Sequence, residues 1–275
     1  MRKGLTFDQP RIMGILNTTP DSFSDGGNVF RDGRVALDDA LFKAEQMLAD
    51  GADIIDVGGE STRPDASPVS LDEELSRVVP VVEALVQRFG AYVSVDTSTP
   101  EVMTAACDVG ASMLNDVRAL QCDGAAPAAL ATGLPVCVMH MQGQPKTMQQ
   151  NPVYADVVTE VYSFLQQRLQ QLLQLGFKRD SLLIDPGFGF GKTAQHNLLL
   201  LKQLDKFQQL QVPLLVGISR KSIFGQVLGR EVHQRLAGSL SAAILAAQKG
   251  AGIIRVHDVA ETRDALLFMQ AVNEA

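Results

Sequence analysis

No apolar run in this chain approaches the roughly 20 residues that a membrane-crossing helix needs. The opening MRKGLTFDQP carries no apolar stretch of the kind that directs secretion, so the chain is expected in the cytoplasm. Cysteine is scarce. Cys107, Cys122 and Cys137 are odd in number and lack C-x-x-C spacing, which suggests neither a disulfide framework nor a zinc knuckle and predicts reduced core thiols. Runs rich in Lys or Arg are missing and the formal net charge is −7, which argues against a nucleic-acid surface or a basic membrane face. An anionic substrate would therefore have to be met by local cations. Linkers and low-complexity segments are missing as well, so residues 1–275 read as one domain. Tryptophan is absent altogether, and ligand binding must be followed by calorimetry or labelled ligand.

What is present is a repeat of apolar strand and amphipathic segment. With 46% hydrophobic residues the chain can bury a full core. Apolar strands recur at 12–16, and from 53, 92, 112, 135, 182, 213 and 253, eight in all. Between them the spacing is helical, as in Leu37, Leu41, Ala44 and Leu48, or Leu71, Leu75, Val78, Val82 and Leu85. Ser70 with Glu73 reads as a capping box. Thr99-Pro100 and Asn151-Pro152 read as helix starts, and Gly51, Gly110, Gly176 and Gly250 as helix stops. Eight strands, each followed by a helix, predict an α/β fold: a single (β/α)8 barrel of the TIM type, with its active site at the C-terminal strand ends.

Those ends carry Asn17, Asp56 with Glu60, Asp96, Asn115, His140, Asp185, Ser219-Arg220-Lys221, and Arg255 with His257. A ring so dense in carboxylates, amides and cations is costly to desolvate without a ligand. Asp96, Asn115 and Asp185 offer acceptors and one amide donor, a set that suits a heterocycle with a guanine-like edge, either a pterin or a purine. Arg63, Lys221, Arg255 and His257 are suited to phosphate oxygens or a leaving group, while Arg220 is divided between that role and a structural ion pair. Asn17, a neutral oxygen ligand, suits Mg2+. DPGFGFGKT, residues 185–193, fails the spacing of a P-loop and of a dinucleotide fingerprint, and reads as a flexible loop. Its Phe188 divides evenly between core and ligand face, and Phe190, between two glycines, leans to the ligand. His140 has no partner at metal-ligand spacing, and His196 and His233 read as ordinary histidines.

With MGILNTTPDSFSDGG, DIIDVGGESTRP, SVDTSTPEV, LNDV, MHMQGQPKTMQ, LLIDPGFGFGK, GISRKS and IIRVHDV in order, the chain resembles the dihydropteroate synthase family nearly end to end. Thr18 and Val117 are mild departures. The resemblance implies a transferase of folate biosynthesis that joins 6-hydroxymethyl-7,8-dihydropterin diphosphate to 4-aminobenzoate and releases diphosphate. It implies Mg2+, a homodimer and inhibition by sulfonamides. By motif, Asp96, Asn115, Met139, Asp185, Gly217 and Lys221 would hold the pterin. Asn17, Thr62, Arg63, Arg255 and His257 would hold diphosphate, Asn17 also the metal. Phe23, Thr62, Pro64, Phe190 and Ser222 would form the aminobenzoate slot, and Asp96, Lys221 and Arg63 would serve catalysis. The chain has no Ser-His-Asp or Cys-His constellation, in keeping with a dissociative substitution that needs no nucleophilic side chain. The alternative is a non-catalytic pterin-binding barrel that presents a folate to a partner. A carrier would have no use for Arg63, Arg255, His257 and a long first loop together. A purine-nucleotide hydrolase would want a water-activating base or metal cluster, which the sequence does not display.

Overall fold

Strands buried on both faces need apolar residues at odd and even positions alike, and these alternate between two separate cores. The computed structural model describes residues 5–19, 30–31, 34–35, 37–60, 69–143, 148 and 151–275. β1 (Arg11–Asn17) is followed by a short antiparallel hairpin, β2 (Phe30–Arg31) and β3 (Arg34–Val35), which the apolar pattern did not disclose. Then come β4 (Ile54–Gly58), β5 (Val93–Asp96), β6 (Met113–Asp116), β7 (Val136–Met139), β8 (Leu182–Asp185), β9 (Leu215–Val216) and β10 (Ile253–Val256). The eight long-range strands are all parallel, in the order β8-β7-β6-β5-β4-β1-β10-β9. An isolated parallel bridge from Ile184 to Leu214 brings the two ends of that order together, so the sheet is a nearly closed barrel, as the eight strand segments predict.

Met13, Ile54, Met113, Cys137, Leu183, Leu215 and Ile253, with Leu5, Phe7 and Tyr92 against them, form one apolar cluster. Their neighbours one position away, among them Ile12, Ile55, Val93, Leu114, Val138, Ile184, Val216 and Ile254, belong to a much larger cluster shared with the helices. The first cluster is the barrel interior and the second lies between sheet and helix ring. Of the three cysteines all are free, but only Cys137 is buried; Cys107 and Cys122 are half-exposed, which corrects the expectation of three core thiols.

The helix ring consists of α1 (Leu37–Ala49), α2 (Leu71–Phe89), α3 (Pro100–Asp108), α4 (Ala125–Thr132), α5 (Val157–Gln174), α6 (Ala194–Lys202), α7 (Ser222–Leu228), α8 (Leu236–Gln248) and α9 (Val259–Asn273). Gly51, Gly110, Gly176 and Gly250 each follow a helix end closely, as read. Ser70 caps α2 by accepting from the Glu73 amide at 3.4 Å, but Glu73 turns its carboxylate to Arg77, so only half of the box forms. Thr99 precedes Pro100 at the start of α3, its hydroxyl donating to Glu74 instead of accepting from its own helix. Asn151-Pro152 does not start a helix. α5 begins at Val157, capped by Asp156, whose side chain accepts from the amides of Val158 and Thr159. Thr193 with His196 forms a reciprocal capping box at α6 that the usual Glu/Gln signature does not cover.

Candidate active site

Because side chains alternate along a strand, the residues two positions after the interior apolar layer also face inward. They are Ile15, Asp56, Ser94, Asn115, Met139, Asp185, Gly217 and Arg255, one per strand. The polar layer thus sits on an apolar floor. Four positions on come Asn17, Gly58, Asp96, Ser219 and His257, at the C-terminal rim. The register agrees: Asp56 lies beside Ser94, and Asp96 beside Asn115.

Arg255 is the hub of this layer. Its Nε donates to Asp56 Oδ2 at 2.6 Å and its Nη2 to Asp96 Oδ2 at 3.0 Å. Asn115 Nδ2 donates to the same Asp56 oxygen at 3.2 Å. Asp56 is fully buried, and its other oxygen, like the Ser94 hydroxyl beside it, has no hydrogen-bond partner among the described residues. Burial pushes the Asp96 carboxyl up to about 7; Arg255 opposes the rise, while Asp56, Asp116 and Glu60 add to it. At Gly58 an added Cβ would meet Asp96 Cβ at 3.5 Å and Asn17 Oδ1 at 3.7 Å, so these two side chains flank one bare stretch of backbone. At Gly217 it would lie 3.7 Å from Arg255 and 3.9 Å from Asp185 Oδ2, so the missing side chain leaves a slot between them.

Asp185 Oδ1 accepts from the Gly187 amide at 2.7 Å, which leaves Oδ2 facing the slot. Burial raises its pKa, and Lys221 is the largest opposing influence. Burial also lowers the Lys221 ammonium to about 8, against the pull of Asp185. Lys221 donates to the Phe188 carbonyl and stands 4.4 Å from the centroid of the half-buried Phe190 ring. Phe188 is buried, which resolves its divided reading in favour of the core. The loop after β8, read as flexible, is instead held in place: Lys192 Nζ reaches the carbonyls of Gly187 and Phe190 and the ring of His140. Arg220 pairs with Asp258, so its structural reading holds, and Ser219 Oγ lies 3.0 Å from His257 Nδ1 at the rim.

The structure therefore brings Asn17, Asp96, Asn115, Met139, Asp185, Gly217, Lys221, Arg255 and His257 to one mouth, with Phe190 beside it through Lys221. Ser222 opens α7 directly after Lys221. Phe23, Thr62, Arg63 and Pro64 lie outside the described residues. Asp56 was noted at a strand end without a role, yet it anchors both Arg255 and Asn115; its signal was a charged residue inside the otherwise apolar DIIDVG. Ser94 and the partners of Lys192 carry no signal in the sequence, and Ser219, noted at its strand end, had no role assigned. Among the described residues no three His, Cys, Asp or Glu side chains gather into a metal-binding group. No described helix is long and apolar enough to cross a membrane. The mouth is equipped to pair with a flat, polar heterocycle and to meet anionic oxygens with the Arg255 and Lys221 cations, while burial lowers the pKa of the rim His257 to about 4 and so keeps it neutral.

A family model described as "Pterin binding enzyme" matches residues 13–257. The dihydropteroate synthase of Haemophilus influenzae is 54% identical over 273 residues, covering 99% of this chain and 98% of that protein. A crystal structure of the Yersinia pestis dihydropteroate synthase with a sulfonamide drug complex superposes with a TM-score of 0.94 at 52% identity, covering 100% of this chain and 98% of the other. The Xanthomonas albilineans dihydropteroate synthase in complex with 7,8-dihydropteroate gives a TM-score of 0.88 at 46% identity, covering 98% and 96% of the two chains.

Proposed function

The chain belongs to the pterin-binding enzyme family, among its dihydropteroate synthases, and from that footing we propose how the mouth of this barrel carries out the condensation. The reaction joins 6-hydroxymethyl-7,8-dihydropterin diphosphate to 4-aminobenzoate, giving 7,8-dihydropteroate and diphosphate. It is a transferase reaction, which sets aside the carrier alternative. The observation that carries the assignment of roles is the inward polar layer: Asn115, Asp185 and Arg255 from three strands, with Asp96 just above, around the slot at Gly217.

Asp185 Oδ2 and Asn115 meet the amino and ring N–H edge of the pterin, with Met139 and Gly217 lining its faces and Lys221 donating from the loop side. Arg255 and His257 turn to the diphosphate at the rim, and Thr62 and Arg63 join them from the second loop. Phe190 and Ser222, with Phe23, Thr62 and Pro64, frame 4-aminobenzoate. The pterin ring stabilises positive charge on its exocyclic carbon, so diphosphate departs before the neutral aromatic amine attacks. Asp96 opposes that charge at short range, and Lys221, Arg63 and Arg255 offset the charge on the leaving group. No side chain acts as nucleophile. The Asn17 amide oxygen, at the rim across Gly58 from Asp96, is a hard neutral ligand fit for Mg2+ that enters on the substrate phosphates. Bound there, Mg2+ supplies charge neutralisation on the departing diphosphate. A second copy of the chain packs on the flank formed by α6 to α9, which carries most of the exposed large hydrophobic side chains of the described residues.

The direct test mixes protein, pterin diphosphate, 4-aminobenzoate and Mg2+ and measures diphosphate. Release that requires 4-aminobenzoate is expected. Release that proceeds equally without it would mark a hydrolase and overturn the assignment of roles.

A further inference from the structure

The most deeply buried cation in the described structure belongs to none of the steps above. Lys192 is 3% exposed, and its ammonium lies 2.8 Å from the Gly187 carbonyl, 2.9 Å from that of Phe190, 3.3 Å from that of His140 and 2.9 Å from His140 Nδ1. Its three protons meet four acceptors, none of them a carboxylate oxygen. Carbonyl dipoles converging on one point repel each other unless a cation sits there. Burial pushes the Lys192 pKa down and Asp185 works against that fall.

The backbone is shaped around this centre. Gly187 and Gly191 have φ of +71° and +61°; a Cβ on the first would lie 1.9 Å from the His140 carbonyl oxygen, and on the second 2.5 Å from that of Gln142. Tyr154 donates to the Gly191 carbonyl at 2.9 Å, and Asn197 accepts from the Gly189 amide at 2.8 Å. The loops after β7 and β8 are thus one wall. That wall ends in the two groups that Lys221 touches, the Phe188 carbonyl and the Phe190 ring.

We propose that Lys192 is a positioning residue for the condensation: its ammonium, seated between His140 and the loop carbonyls, holds the wall that aims Phe190 at 4-aminobenzoate. This rests on the assignment of Phe190 to the aminobenzoate slot. His140 takes part as an acceptor, which requires a neutral ring protonated at Nε2. Burial and the adjacent Lys192 hold its pKa down at about 3, in agreement with that tautomer.

Lys192→Met keeps the stem and removes the charge. Amide hydrogen exchange should quicken in the two loops and not in the strands. The KM for 4-aminobenzoate should rise roughly tenfold or more, while pterin affinity stays within about threefold because Asp96, Asn115 and Asp185 ride on strands. Unchanged loop exchange, or equal losses for both substrates, would overturn the proposal. Quickened exchange with an unchanged KM would uphold the latch and remove Phe190 from the aminobenzoate slot. Should Lys192→Met fail to fold, nitrogen chemical shifts of His140 in the wild-type protein decide. At about pH 6 an unprotonated Nδ1 upholds the arrangement, and a proton on Nδ1 overturns it.

Discussion

Asp96 and Asp56 share one guanidinium, and the difference between them is depth and neighbours: Asp56 also receives Asn115, whereas Asp96 stands at the rim with Arg255 as its one cation contact among the described residues. Burial raises the Asp96 carboxyl from 3.8 to about 7, so between those values the folded chain keeps a proton that the unfolded chain has released. Stability from this group therefore falls as pH rises through that window. Activity runs the other way, because only the carboxylate opposes a cation. The kcat/KM for pterin diphosphate is expected to rise with pH along a limb centred near 7, and Asp96→Asn should lower the rate and flatten that limb. A wild-type profile level from pH 5 to 8 would be the contrary result. Arg255 makes a separate prediction. Arg255→Ala should weaken binding of the diphosphate ester about tenfold more than binding of the corresponding alcohol, since its remaining donors are assigned to phosphate oxygens. Calorimetry with both ligands measures the difference, and equal losses would confine Arg255 to holding Asp56 and Asp96 in place.

At the scale of elements, Asp156 and Asn151 offer a matched pair. Both stand ahead of α5 in positions that suit a cap, but only Asp156 accepts from the helix amides. Asp156→Ala should lower the thermal melting temperature by roughly 2–4 °C, and Asn151→Ala almost not at all. A reversed order would mean that α5 starts at the proline after all. The pair also shows what the sequence could tell. Strand positions were legible because burial on both faces demands short apolar runs rich in Ile, Val and Leu bounded by Gly, Pro or Asp, and the inward polar layer can be placed by period two once the strands are set. Asn151-Pro152 misled because a cap and a proline satisfy the local rule wherever they occur, and the choice between two candidate starts is made by packing of Val157, Val158 and Val161. The hairpin β2–β3 has two-residue strands, too short to show a period. In the sequence Lys192 stands out only within DPGFGFGKT, where it takes the place of the last glycine of a dinucleotide fingerprint. Its partners are carbonyls, and a carbonyl is present at every position, so composition carries no sign of which ones converge.

For the whole molecule, the uneven placement of surface apolar residues matters most. Of the thirteen large hydrophobic side chains exposed in the described structure, eight lie from Leu198 onward, on α6 to α9 and the turn at Val232, with Phe268 at 74% and Val272 at 61% exposure. α8 packs against α9, and α6 against both α7 and α8, so these helices make one flank of the barrel. A two-fold interface on this flank would cover such side chains. In such an interface each residue counts twice. Burying one Phe on each side is worth roughly 1.5–3 kcal/mol per copy, so Phe268→Glu should weaken a dimer by about 3–6 kcal/mol, or two to four decades in Kd. Sedimentation velocity at micromolar concentration is expected to find a dimer for the wild-type protein and a monomer for the variant. The roles are assigned to the strand ends and loops of a single barrel, so turnover per protomer is expected to survive the separation. A wild-type monomer at those concentrations would leave the flank to some other partner. A monomeric Phe268→Glu with no turnover would instead mean that the second copy steadies the mouth, through α7, which begins at Ser222 beside Lys221.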